Sequence, residues 1–250
     1  MAMSDKNRVL IDGDMLVYRI ASALEEPIHW GDDWWSLYAD ARQGVALIDE
    51  ELKKFEDIAK SYDPLATDIK VALTCPVFNW RNNVLPSYKA NRKNVRRPVI
   101  WNPLRQHLCE NHKAVTYRNL EADDIIGILC QKTSIIISDD KDFKSVPCKF
   151  LHRPSTGAGS RVTEKRAKRW HFLQTLTGDS ADGYKGCPGI GEVRAEKLLK
   201  DGTWEEVVGA YSKAGLDEED ALRQAQVAHI LQSPSEYNKK TGEVALWKPE

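Results

Sequence analysis

Short apolar runs that end in acidic residues punctuate the first 150 positions of the chain, and helical spacing dominates after them. Arg8 to Ile11 reads as a strand that delivers Asp12, Gly13 and Asp14 to its C-terminal end, and Met15 to Leu24 continues with the apolar period of a helix. Ala41 to Ser61 repeats the helical pattern, and Ile69 to Leu73 is a second buried strand. The alternation resumes with Ala114 to Tyr117 as strand, Glu121 to Gln131 as helix, and Ser134 to Ile137 and Lys149 to His152 as strands. Strands alternating with helices predict a parallel sheet in an α/β fold. Trp30 to Tyr38 reads as a hairpin turning at Asp32 and Asp33, its tryptophans serving as core or edge packing.

Beyond about Phe150 the pattern changes. Ser155 to Ser160 is a turn, with glycines too few and too badly placed for a dinucleotide site. Thr163 to Thr177, Glu192 to Lys200, Thr203 to Ala214 and Glu218 to Leu231 then read as helices, and Tyr237 to Trp247 as a hairpin or extended tail turning at Lys240 to Gly242. The chain therefore divides into an α/β part over residues 1–150 and a mainly helical part over 151–250.

The acidic residues recur where the strands end. Asp12 and Asp14 follow the first strand, Asp139, Asp140 and Asp142 follow Ile135 to Ile137, and Glu121, Asp123 and Asp124 open a crossover helix. Each alone could be a cap or a charge favoured by the helix dipole. Together they gather at the rim where open α/β sheets bind ligands, as carboxylate ligands for a metal pair would. Asp179 and Asp182 stand three apart, so on one helical turn they would share a face and repel unless a cation sits between them. Gly186, Pro188, Gly189 and Gly191 then form a tight turn into a helix, a geometry that presents backbone N–H groups to phosphate.

Composition narrows the class of partner. No apolar run approaches a membrane span, and the N-terminus carries no signal-peptide pattern. The five scattered cysteines suit inert thiols in a reducing cytoplasm. A net charge of -1 argues against nucleic acid taken globally, but the charges are segregated. No carboxylate falls between Asp68 and Glu110, where Arg81, Lys89, Arg92, Lys93, Arg96, Arg97 and Arg105 lie, and from Lys144 to Arg169 eight cations face Glu164 alone. Trp80, Tyr88 and Trp101 sit among the first set, a mixture suited to a single strand whose bases stack while cations hold phosphate.

Taken in order, strand-Asp12-Gly13, LPSYKANRK, Glu121-Ala122-Asp123-Asp124, SDDKDF and GDSADGYKGCPGIG closely resemble the structure-specific 5′ nucleases, the flap endonuclease and 5′–3′ exonuclease family, in its bacteriophage branch. The resemblance spans Arg8 to about Leu199. It implies a PIN-like parallel-sheet nuclease domain with a helical arch over about 79–113, followed by a helix-three-turn-helix module at about 178–200 that grips duplex DNA. It also implies Asp12, Glu121 and Asp123 around one metal, Asp140, Asp142, Asp179 and Asp182 around a second, and Asp124 close by. Lys89 and Arg92 match the arch residues on the scissile phosphate. Arg81, Tyr88, Lys93, Lys185 and Lys197 are expected on DNA, with Gly189, Ile190 and Gly191 contacting a duplex strand beside a potassium ion. Two Mg²⁺ ions, with Mn²⁺ as an alternative, would bridge the phosphodiester about 4 Å apart. The implied substrate is DNA with a 5′ flap, nick or duplex end, extending to RNA–DNA hybrids, cut by a monomer in the host cytoplasm. One position departs from the family: Thr74 stands where a further aspartate is usual, so either the first metal would be held more weakly or Asp14 would compensate.

Three other readings compete. A phosphatase of the haloacid dehalogenase type would use Asp12-x-Asp14, Thr74 and Lys165, but Leu16 replaces its usual Thr or Val and the arch is left unexplained. A non-catalytic DNA-binding module would make the carboxylates caps, with binding sensitive to salt and indifferent to metal. A PIN-type ribonuclease would prefer RNA.

Overall fold

The structure, a computed structural model, describes residues 6–249, so residues 1–5 of the expected nuclease half lie outside it. Its central sheet is built from strands whose alternate residues feed two cores. Val9 and Ile11 of β1 (Asn7–Asp12) face one side and Leu10 the other, and Ile135, Ile137 and Ile136 of β5 (Ile135–Ile137) divide the same way. The strand order is β4-β1-β5-β6-β7, with β4 spanning Ala66–Ala72, β6 Cys148–Arg153 and β7 Ala158–Val162. β4, β1, β5 and β6 pair parallel, and β7 returns antiparallel at the edge. Strand order thus reverses beside β1, placing a crevice at the C-terminal ends of β1 and β5.

On one face lie α1 (Gly13–Ala23), α2 (Ala41–Tyr62) and α4 (Trp101–Asn111), joined by Val17, Ile48, Phe55, Leu104 and Leu108. On the other lies α5 (Ala122–Leu129), with Ile125 and Ile126 against Leu10 and Ile136. The helical part comprises α6 (Glu164–Thr177), α7 (Glu192–Leu198), α8 (Trp204–Lys213) and α9 (Glu218–Ala228) around Phe172, Leu176, Val207 and Tyr211. Ile230, Leu231 and Tyr237 then return to pack beneath α5. The fold is mixed α/β with a mostly parallel sheet, as the strand and helix pattern predicts. No helix among the described residues is long and apolar enough to cross a membrane.

Several elements differ from expectation. The tryptophans of the hairpin β2 (Glu26–Gly31) and β3 (Trp34–Tyr38) are exposed rather than packed, because neither strand joins the main sheet. Around 114–117 only an isolated bridge forms, from Val115 to Ala72. The turn at 155–160 ends early, since Ala158 already belongs to β7. Residues 79–113, expected as a helical arch, comprise short helical pieces: α3 (Arg81–Val84), a single 3₁₀ turn at Ala90–Arg92, then α4. The tail closes as a small hairpin, β8 (Tyr237–Asn238) with β9 (Glu243–Val244).

Candidate active site

The crevice above β1 and β5 is a cleft of about 750 Å³ bordered by Asp12, Asp14, Thr74, Lys89, Arg92, Arg105, Glu121, Asp123 and Asp140. Asp12 ends β1 and caps α1, accepting from the Met15 N–H at 3.0 Å. Its second oxygen accepts from Ser138 Oγ at 2.9 Å, and that hydroxyl oxygen accepts the Asp140 N–H at 3.1 Å. Ser138 therefore ties the ends of two neighbouring strands together. Asp140 accepts in turn from the Asp142 N–H at 2.8 Å, which winds the 3₁₀ turn Lys141–Ser145 and carries Asp142 toward the helical half.

The carboxylates repel one another. Burial and then the neighbouring Asp14 push Asp12 up to about 7. Burial and then Asp140 and Asp12 push Asp123 well above the usual carboxylate range, and its carboxylate makes no hydrogen bond among the described residues. Burial and then Asp140 raise Asp142 to about 6. These oxygens from β1, α5 and the segment after β5 lack sufficient compensating donors, the condition in which a hard divalent cation is taken up. The donor set fits the metal implied by the sequence.

Asp179 and Asp182 approach from the helical half, but not on a helix. Asp179 Oδ1 accepts from the N–H groups of Ala181 at 2.8 Å and Asp182 at 3.2 Å, and its backbone bridges Tyr184. The loop closes on itself because Gly178 (φ 67°) and Gly186 (φ 64°) meet back to back: a Cβ on Gly186 would lie 2.3 Å from the Gly178 nitrogen. Helical spacing misreads this segment because three-residue spacing also suits a carboxylate turn.

Three cations lie among these groups. Lys89 Nζ contacts Glu121 Oε1 and stands 3.6 Å from Asp182. Burial would raise Glu121, yet Lys89 and Arg81 outweigh it and hold its carboxyl at about 2. Arg92 meets Asp182 at 2.7 Å and the Ala181 carbonyl at 3.1 Å. Lys141 bridges Asp142 at 3.1 Å and Asp179 at 2.5 Å, and Gln174 Nε2 donates to Asp142 at 2.7 Å. Lys89 has a left-handed backbone (φ 52°), and its N–H donates to the Asp182 carbonyl at 2.8 Å. Gly183, opposite, has no room for a side chain: its Cβ would meet the Ser87 carbonyl at 2.9 Å.

The structure separates some residues that the sequence groups with the site. Asp124 is fully buried, and both oxygens are engaged by Arg81, the Trp80 indole and the Leu231 N–H, so it is an anchor rather than a cation ligand. Arg81 is likewise buried, donating to Asp124, Glu121 and the carbonyls of Val227 and His229, which leaves it no surface for DNA. Tyr88 is buried with its hydroxyl 2.8 Å from Glu121 and 3.1 Å from Asp182, so it orients carboxylates and cannot stack bases. Trp80 is buried too. Ile190 packs in the helical core with Leu199 and Ala195. Lys93, Lys185, Gly189, Gly191 and Lys197 are exposed. Asp14 is committed elsewhere, accepting from the Thr74 N–H at 2.7 Å and from Arg105, while Thr74 Oγ1 accepts the Ala122 N–H at 3.0 Å. Ser138, Lys141, Gln174 and Arg105 have site contacts that sequence reasoning missed; adjacency to the acidic motif was a signal for the first two alone.

Known proteins resemble the chain in sequence and in fold. Residues 7–152 match the family model described as 5′-3′ exonuclease, N-terminal resolvase-like domain. The chain is 33% identical to the exonuclease of Escherichia phage T7 over 98% of its length and 94% of that protein's. The fold is similar to that of the T5 5′-exonuclease with zinc bound, with a TM-score of 0.63, 19% identity and 90% of each chain covered. It is also similar to a bacteriophage T5 flap endonuclease in a complex with DNA and metal ions, with a TM-score of 0.59, 20% identity and 90% of each chain covered.

Proposed function

The chain belongs to the 5′–3′ exonuclease family and is a nuclease, and from that premise we propose that it hydrolyses phosphodiester bonds near the 5′ end of duplex or flapped DNA with divalent cations, Mg²⁺ foremost. The observation that carries this reading is the convergence of Asp12, Asp123, Asp140 and Asp142 from separate chain segments into one mutually repelling group beside Lys89. Asp12, Glu121 and Asp123 would hold one cation, and Asp140, Asp142, Asp179 and Asp182 a second. Bound there, the cations supply Lewis-acid stabilisation of phosphate charge and an activated water.

The chain's own residues do the rest. Lys89, at the cleft border, offsets negative charge on the scissile phosphate, and Arg92 adds a guanidinium at the same mouth. Tyr88 and Arg81 hold Glu121 in place. Ser138 fixes Asp12 relative to Asp140. The span 79–113 acts as the arch that admits a free 5′ end. The segment 178–200 is the duplex-gripping module, using the backbone of Gly189 to Gly191 with Lys185 and Lys197 exposed beside it. A potassium ion at that turn belongs to the same proposal. The solved complex of the T5 flap endonuclease with DNA supports DNA as substrate.

The test digests a 5′-labelled flap, a nicked duplex and a blunt duplex side by side, with Mg²⁺ or EDTA. Short 5′ products in Mg²⁺ alone are expected. Cleavage undiminished by EDTA, or release of phosphate from p-nitrophenyl phosphate without cutting DNA, would overturn the assignment.

A further inference from the structure

On the sheet face that carries α2 and α4, Asp49 of α2 meets two histidines at the end of α4. His107 Nε2 and His112 Nε2 each lie 2.7 Å from the same oxygen, Asp49 Oδ1. The three ligand atoms lie within 4.8 Å of one another. None of the three residues borders the nuclease cleft. The helices beneath are fixed by Ile48 and Leu52 against Leu104 and Leu108, so the trio is held by packed elements rather than by a loose surface. His112 follows α4 directly, its N–H donating to the Leu108 carbonyl at 3.1 Å.

We propose that Asp49, His107 and His112 form a second metal site, for a borderline transition-metal dication with Zn²⁺ foremost, which staples α2 to α4. Two imidazoles and one carboxylate suit Zn²⁺, whereas Mg²⁺ takes oxygen ligands. The Asp49 side chain is 50% exposed and that of His112 30%, so water reaches the site and can complete a tetrahedral set. Two neutral imidazoles converging on one oxygen can donate only through Nε2–H, the atom a cation would replace. Asn111 Nδ2 stands 3.0 Å from His107 Nδ1. When Nε2 binds metal, the imidazole proton moves to Nδ1, and rotation of the Asn111 amide lets its oxygen accept that proton's bond in exchange for the 3.3 Å bond its Nδ2 donates to the His107 carbonyl. Ligands on a tetrahedral Zn²⁺ sit about 3.3 Å apart at the usual bond lengths, so each imidazole nitrogen, now 2.7 Å from Asp49 Oδ1, moves away from that oxygen by about half an ångström, within reach of side-chain rotation.

Zinc also reaches the cleft carboxylates, so the experiment compares wild-type protein with His107→Ala/His112→Ala in a saturating excess of Mg²⁺. Calorimetric titration with ZnCl₂ is expected to give one more Zn²⁺ per chain in the wild type. With Co²⁺, the wild type should show the intense visible absorption of a tetrahedral site and the variant should not. Zn²⁺ should raise the wild-type melting temperature more than the variant's. Asn111→Ala should weaken the extra site about 10–100-fold while keeping its stoichiometry. Equal stoichiometry in both proteins, or no tetrahedral absorption in the wild type, would show a hydrogen-bonded trio only and overturn the proposal. Should the double variant fail to melt cooperatively in EDTA, Asp49→Asn replaces it under the same criteria. These readouts involve no cleavage, so they stand apart from the fate of the nuclease assignment.

Discussion

Arg81 and Asp124 form a two-pronged ion pair beneath the cleft, Nη1 to Oδ2 at 2.7 Å and Nη2 to Oδ1 at 2.8 Å, with both side chains shut off from solvent. The same Nη1 reaches Glu121 at 3.1 Å, and the guanidinium also holds the carbonyls of Val227 and His229. One residue thus joins the acidic rim to the far end of α9. Arg81→Ala should destabilise the protein by about 3–5 kcal/mol, because it strands a buried carboxylate and two carbonyls. Urea denaturation measures this. Asp124→Asn should likewise lose stability, with residual cleavage following the folded fraction; a stably folded, inactive Asp124→Asn would return Asp124 to the cation ligands.

That pair also marks where the sequence stops being legible. The acidic rim could be read because β-branched runs such as Ile135 to Ile137 announce strands, and whatever follows a parallel strand lies at its C-terminal end. Arg81 could not, because an arginine in a basic stretch looks the same whether it faces water or a partner in the packed interior. Its backbone partners, Val227 and His229, lie 146 and 148 positions along the chain, and only the fold brings them to it. Tyr88 and Trp80 failed for the same reason: aromatics among cations suggest stacking on bases, and here they stack under the site, with the Arg81 guanidinium 4.6 Å from the Trp80 ring. The loop from Gly178 to Gly186 was visible as a carboxylate pair with glycines, but the positive φ at Gly178, Gly183 and Gly186 makes it a turn and not a helix.

Asp140 caps the 3₁₀ turn that holds Asp142, yet the two face different neighbours. Asp140 repels Asp123 and Asp12, while Asp142 is held by Lys141 and Gln174. Replacing both with Asn removes two charges from the proposed second cation site with little change of volume. Cleavage should fall below detection while affinity for flapped DNA changes less than tenfold. Nuclease assays beside filter binding in Ca²⁺ check both, and full activity in the double variant would remove these residues from the site.

Lys89 is held over the cleft by its left-handed backbone and by the turn at Gly183. A cation placed against developing phosphate charge in a water-poor site is worth more than in bulk solvent. Lys89→Ala should lower the single-turnover cleavage rate about 10²–10³-fold, with Lys89→Arg recovering part of the loss. An unchanged single-turnover rate would dismiss Lys89 from the chemistry.

The raised acids fix how stability and cation affinity depend on pH. Asp12 titrates near 7 in the folded chain, chiefly because it is buried and next to Asp14, and Asp142 near 6, chiefly through burial and Asp140. The unfolded chain releases both protons near pH ~4. Between those values the folded state binds more protons than the unfolded state, so without divalent cations stability declines as pH rises from ~4 to ~7. Glu121 works in the opposite window: held at about 2, it contributes stability that is fully present above its unfolded value of 4.5 and is lost progressively as pH falls from there through about 2. At the proposed sites, cations compete with protons for Asp12, Asp123 and Asp142, so Mg²⁺ should raise the melting temperature more at pH 8 than at pH 5.5. The single-turnover rate at limiting Mg²⁺ should climb through the same interval. Thermal melts in EDTA and in Mg²⁺ at the two pH values check the sign. A Mg²⁺ increment that is equal at both, or larger at the acidic one, would mean that the acids at the ends of β1 and β5 do not hold the cations.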